Sequence, residues 1–143
     1  MIIHTASEGI TLSKKLETES AEFYEKMAER YKEGAEVFVS FAKENEKNLV
    51  QIDRAYYGVI TDAIEGGYAF NIDPDEYSLP TEVKDGAGYA DVLNQAKEIE
   101  NTIVRFYTDA AEQSKPLLAD VPRAFSLIAR KRGKRLEKLG SLL

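Results

Sequence analysis

The sequence predicts an all-α fold: one bundle of four amphipathic helices with a long crossover between the second and third. Three observations carry this expectation. Apolar residues recur at a helical period through two long proline-free blocks and again near the end of the chain. Pro74, Pro80, Pro116 and Pro122, with Gly66, Gly67, Gly86 and Gly88, fall between those blocks. The two halves of the chain also repeat each other weakly.

The first helix is expected over about 8–31, where Leu12, Leu16, Phe23, Met27 and Tyr31 keep close to a 3.6-residue period. Thr5 and Glu8 have the spacing of a capping box. The pattern restarts after Gly34 with Val37, Phe38, Phe41, Ala42, Leu49, Ile52 and Tyr56, giving a second helix over about 34–64. A tight turn around Lys32–Gly34 makes the two antiparallel neighbours. Residues 66–88 are turn-rich, have no helical period and exceed a hairpin turn. At about 3.3 Å per residue they can run the length of a bundle, with Tyr68, Phe70 and Tyr77 pinning them to the helices. A third helix follows over about 89–114. Pro116 and Pro122 bracket a short break, and a fourth helix covers about 122–142 with Phe125, Ile128, Ala129, Leu136 and Leu139 inward.

Composition narrows the chemistry. The 143 residues suffice for one domain, 1–143. The lack of cysteine excludes disulfides, thiolate metal sites, iron–sulfur clusters and a cysteine nucleophile. The single histidine, His4, precedes the first helix and reads as a terminal, solvent-facing residue, so a metal site would rest mostly on oxygen ligands. A net charge of −6 disfavours nucleic acid. No apolar run is long enough for a membrane span. Met1–Ser7 lacks the basic start and apolar core of a secretory signal, so the expected compartment is cytoplasmic. Residues 120–143 hold seven basic and two acidic residues, leaving −11 for the rest of the chain. That helix either complements its acidic neighbours or offers a face for a protein partner or an anion.

The internal repeat is specific. A shift of 83 superposes Lys14, Glu17, Phe23, Tyr24, Ala28 and Glu29 on Lys97, Glu100, Phe106, Tyr107, Ala111 and Glu112. A shift of 87 superposes Phe38, Ala42 and Leu49 on Phe125, Ala129 and Leu136. Two related helical hairpins imply a pseudo-twofold axis. With a Glu six residues before a Phe-Tyr pair in LETESAEFY and again in IENTIVRFY, the chain resembles the rubrerythrin-type diiron four-helix bundles of the ferritin-like superfamily. The resemblance implies bridging carboxylates at Glu17 and Glu100, Glu-x-x-His pairs on the second and fourth helices, oxygen or peroxide chemistry at two irons, and assembly as a homodimer. Tyr24 and Tyr107 would lie near such a centre.

The second and fourth helices depart from that pattern. Asn45 and Asn48 stand in FVSFAKENEKNL, and Arg132 and Arg135 in FSLIARKRGKRL, where the family carries Glu and His. Asn and Arg cannot replace anionic carboxylates and neutral imidazoles as iron ligands. Two arginines could instead balance Glu17 and Glu100, since a guanidinium offers a planar fork to carboxylates. Both arginines then face inward, on the stripe of Phe125, Ile128 and Leu139. The competing placement puts them in a solvated basic face with Arg130, Lys131 and Lys134. Two functions follow. One is a degenerate bundle without a catalytic residue or cofactor, a polar cluster in place of its metals, acting as a binding or structural module. The other is a diiron-carboxylate oxidoreductase, peroxidase or ferroxidase with an atypical site, its metal held by Glu17 and Glu100. Acid–base glycosidase chemistry has only the Glu pair in its favour.

Overall fold

The computed structural model of the chain describes residues 2–57, 68–116 and 120–143. Within them lie four long helices: α1 (Ala6–Arg30), α2 (Ala35–Tyr57), α3 (Tyr89–Ser114) and α4 (Asp120–Leu142). Two short strands, β1 (Ile3–Thr5) and β2 (Tyr68–Ile72), pair antiparallel. The chain is predominantly α-helical, as expected, but the small sheet was not legible beforehand. Three- and five-residue strands are too short to print a period of two. The part of the second helix expected over 58–64, and Gly66 and Gly67, lie outside the described residues.

Local chemistry sets the helix ends. The Thr5 hydroxyl accepts from the Glu8 N–H at 3.1 Å, and the Glu8 carboxylate accepts from the Thr5 N–H at 3.1 Å. This closed capping box starts α1 at Ala6, two residues before the expected start. The Thr5 N–H, and then the Thr5 hydroxyl, donate to the Glu8 carboxylate and hold it below its ordinary pKa. A short 3₁₀ turn over Lys32–Gly34 reverses the chain into α2. Gly34 is small for a reason: a Cβ there would stand 2.6 Å from the Tyr89 hydroxyl. Asp91 accepts from the Gly88 N–H at 3.1 Å and opens α3. α4 starts two residues before the expected Pro122, which sits in its first turn, where proline's missing N–H costs nothing.

Side-chain pairs give the relative directions. Between α1 and α2, Lys14 meets Asp53, Glu17 meets Asn48 and Ser20 meets Asn45, so the numbers rise on one helix as they fall on the other. The same holds between α1 and α3, where Glu17 meets Tyr107 and Tyr24 meets Glu100. It holds again between α3 and α4, where Tyr107 packs on Phe125 and Glu100 on Arg132. These neighbours are therefore antiparallel. α2 and α3 consequently run the same way, which requires a connection spanning the length of the helices.

The described part of that connection does this along α1 and α3. At one end Phe70 is buried against the start of α1, where a Cβ on Gly9 would collide with its ring. Midway, Tyr77 is buried on Phe106 and donates to Asp109 at 2.6 Å. At the other end Arg30 donates to the carbonyls of Lys84 and Asp85, and Tyr31 to that of Ala87. Phe70 and Tyr77 pin the segment as expected. Tyr68 does not: it is 72% exposed and stacks on His4 with ring centroids 4.8 Å apart. His4 is likewise not a free terminal residue, because its Nδ1 lies 3.3 Å from the Phe70 carbonyl within the sheet. Among the described residues no helix is long and apolar enough to cross a membrane.

Glycine substitutions separate close approach from helix propensity. Gly133 has open space where its Cβ would be, so Gly133→Ala should raise stability by about 0.5–1 kcal/mol. Gly9→Ala gains the same propensity but pushes into a buried ring, an overpacking cost of about 1–3 kcal/mol. It should lower the midpoint of urea unfolding where Gly133→Ala raises it.

Candidate functional site

The inner faces of all four helices meet in a polar cluster inside a largely apolar core. Glu17 and Ser20 come from α1, Asn45 and Asn48 from α2, Glu100 from α3, and Arg132 and Arg135 from α4; all are buried. Helical periodicity explains the convergence. Glu17, Ser20 and Tyr24 lie one turn apart on one face, as do Asn45 with Asn48 and Arg132 with Arg135.

Arg132 is the hub. Its Nη1 donates to Glu100 Oε1 at 2.8 Å and Oε2 at 2.9 Å. Its Nη2 lies 2.9 Å from Glu17 Oε2 and donates to Ser20 Oγ at 3.0 Å. One guanidinium thus bridges two carboxylates from antiparallel helices. Burial opposes its charge, but Glu100 and Glu17 outweigh that and hold its pKa above the ordinary arginine value.

The tyrosines complete a reciprocal pattern. Tyr24 donates to Glu100 Oε2 at 2.6 Å, and Tyr107 donates to Glu17 Oε2 at 2.7 Å. Each half of the internal repeat supplies a phenol to the other half's carboxylate, the arrangement a pseudo-twofold axis requires. Burial, and then the neighbouring carboxylate, pushes both phenols well above their ordinary pKa.

Arg135 departs from the expected pairing. It reaches Glu100 only at 3.5 Å, while its Nε donates to Glu44 Oε1 at 2.9 Å. Its Nη2 also donates to the Phe41 carbonyl at 3.0 Å and to Asn45 Oδ1. Its guanidinium lies 4.8 Å from the Phe41 ring centre, a cation–π distance. Glu44 is partly exposed and carries the cluster to the surface. Asn45 donates to the Glu17 carbonyl at 2.9 Å and to Ser20 Oγ at 2.7 Å, and Asn48 donates to Glu17 Oε1 at 3.0 Å. Among the described residues Asn48 Oδ1 has no hydrogen-bond partner.

Both arginines therefore point inward, and the solvated-face placement does not apply to them. Sequence reasoning missed Ser20 and Glu44. Ser20 stands on the face of Glu17 one turn on, a signal available in the sequence. Glu44 neighbours Asn45 and faces α4 only from the edge, which no spacing rule reveals.

The donor set does not fit a pair of irons. All four carboxylate oxygens of Glu17 and Glu100 already accept from arginine, tyrosine or asparagine. Two buried cations stand beside them, which repel a third positive centre. Among the described residues no group of three or more His, Asp or Glu side chains could hold a metal ion. Comparison with protein-family models, with curated proteins and with solved structures finds no match.

Two predictions follow from this geometry. Arg132→Met leaves two buried carboxylates without their main partner and should cost about 3–5 kcal/mol of stability by urea unfolding. Adding Glu17→Gln and Glu100→Gln should return much of that loss, because the stranded charge is gone. Tyrosinate absorbance against pH gives the second test. Tyr24 and Tyr107 should stay protonated above pH about 10, where free phenols ionise. Their raised pKa contributes stability that is complete below pH about 10 and lost as pH rises beyond it. A Tyr24→Phe/Tyr107→Phe variant should lose two tyrosine equivalents from the fraction that ionises only on alkaline unfolding.

Proposed function

We propose that the chain is a ferritin-like, rubrerythrin-like four-helix bundle in which an arginine–carboxylate network stands where relatives hold a diiron centre. It acts as a non-catalytic binding or structural module, assembled as a homodimer. The observation that carries this reading is the bridge of Arg132 between Glu17 and Glu100. Those are the two positions that the family resemblance marks as bridging carboxylates. A guanidinium balances their charge as metal cations would, with fixed geometry and no open position for a substrate. The reciprocal Tyr24–Glu100 and Tyr107–Glu17 bonds supply the internal twofold that such bundles imply. The antiparallel neighbours and lengthwise crossover are compatible with that architecture.

The test is metal content of the purified protein, followed by anaerobic Fe(II) titration and a peroxide-turnover assay. The expected result is no stoichiometric iron or manganese and no turnover. Stoichiometric uptake would overturn the reading and put the diiron oxidoreductase in its place.

A further inference from the structure

The outer surface of α2 and α4 carries two features together. The first is charge. Lys43, Lys47 and Arg54 are exposed on α2, and Lys134 and Lys138 on α4, with Lys131 half-buried between the helices. Among the described residues, none of these six cations has a carboxylate within 4.0 Å. Glu44, in the same cleft, is held by Arg135. The second feature is apolar exposure. The large hydrophobic side chains exposed on described helices are Val39, Val50 and Tyr57 of α2 and Leu127 of α4; α1 and α3 have none.

The register lines them up along one side of the α2–α4 pair. Val39, Lys43, Lys47, Val50 and Arg54 follow a three-to-four residue spacing along α2, as Leu127, Lys131, Lys134 and Lys138 do along α4. Lys131 shares a cleft of about 510 Å³ with Val39, Lys43 and Lys47, and with Glu36, Ser40 and the Arg135-bound Glu44. A second depression is lined by Lys47, Val50, Gln51 and Arg54. Arg135 meets Phe41, Glu44 and Asn45. On antiparallel helices these contacts bring Leu127 level with the turn of Lys47 to Val50. Apolar side chains thus sit among cations that, among the described residues, have no carboxylate within 4.0 Å.

We propose that this α2–α4 groove docks an acidic amphipathic helix of another protein, its apolar stripe on Val39, Val50 and Leu127 and its carboxylates on the flanking lysines. This surface is independent of the buried network. Charge complementarity selects an acidic partner, and the interspersed valines and leucine select an amphipathic one, since a helix laid in a groove is read by apolar anchors at helical spacing. A bare polyanion such as nucleic acid fits less well. Glu36 and Glu46 share the α2 surface, and the chain as a whole is at −6.

The test uses the full chain and a labelled synthetic peptide with leucines at helical spacing flanked by glutamates, read by fluorescence anisotropy. A scrambled peptide of the same composition and a single-stranded oligothymidylate serve as comparators. Saturable binding of the amphipathic peptide is expected, weakened about tenfold or more by Lys131→Glu/Lys134→Glu and by Val50→Asp. Lys15→Glu/Lys26→Glu, on the exposed face of α1, should leave it unchanged, and circular dichroism checks that every variant folds. No saturable binding, equal binding of the scrambled peptide, tighter binding of the oligothymidylate, or indifference to the α2–α4 substitutions would each overturn the proposal.

Discussion

The structure depends on one act of charge burial: the Arg132 guanidinium enclosed between Glu17 and Glu100. An ion taken out of water loses several kcal/mol of hydration, which only close partners and filled hydrogen bonds return. Every neighbour of Arg132 serves that requirement. Both carboxylates lie within 3 Å of it, Ser20 takes a further N–H, and the remaining carboxylate lone pairs go to Tyr24, Tyr107 and Asn48. Because these groups come from four helices, the network constrains the register of all four at once. A purely apolar core of leucines and phenylalanines can slide by a turn at modest cost, whereas this one cannot without stranding a charge.

The same accounting explains where rigidity ends. Inside the core the hydrogen bonds are charge-assisted and short. At the edge, Arg135 shares itself among Glu44, Asn45, the Phe41 carbonyl and a distant Glu100 oxygen. Among the described residues nothing donates to Asn48 Oδ1. Among the described residues, the side of the cluster filled by long arginines is saturated, and the side filled by short asparagines is one bond short.

Much of this was legible in the sequence. Helical periodicity and the placement of proline and glycine located four helices to within a few residues where the structure describes them, and α3 coincides with its expected span. The inward stripe of α4 placed Arg132 and Arg135 among Phe125, Ile128 and Leu139, and the repeat paired Glu17 with Glu100 and Tyr24 with Tyr107. What was not legible depends on contacts between segments distant in the chain. The β1–β2 pairing brings residues 3–5 against residues 68–72, which neither stretch announces alone. His4 and Tyr68 stack only because that pairing exists. Arg135 turned to Glu44 because a long side chain near the bundle edge can choose between two carboxylates, and distance decides.

The broken symmetry of the cluster has a consequence for assembly. The α1–α2 hairpin brings one wholly buried carboxylate and no guanidinium, while α3–α4 brings one carboxylate and two guanidiniums. Two copies of the first hairpin would enclose uncompensated negative charge, and two copies of the second an excess of positive charge. Only one of each brings the wholly buried charges to zero. The hairpins are therefore obligate complements despite their shared pattern. If chains exchange halves, the exchange can only restore the mixed pair, and the covalent crossover guarantees that both kinds are always supplied in equal number.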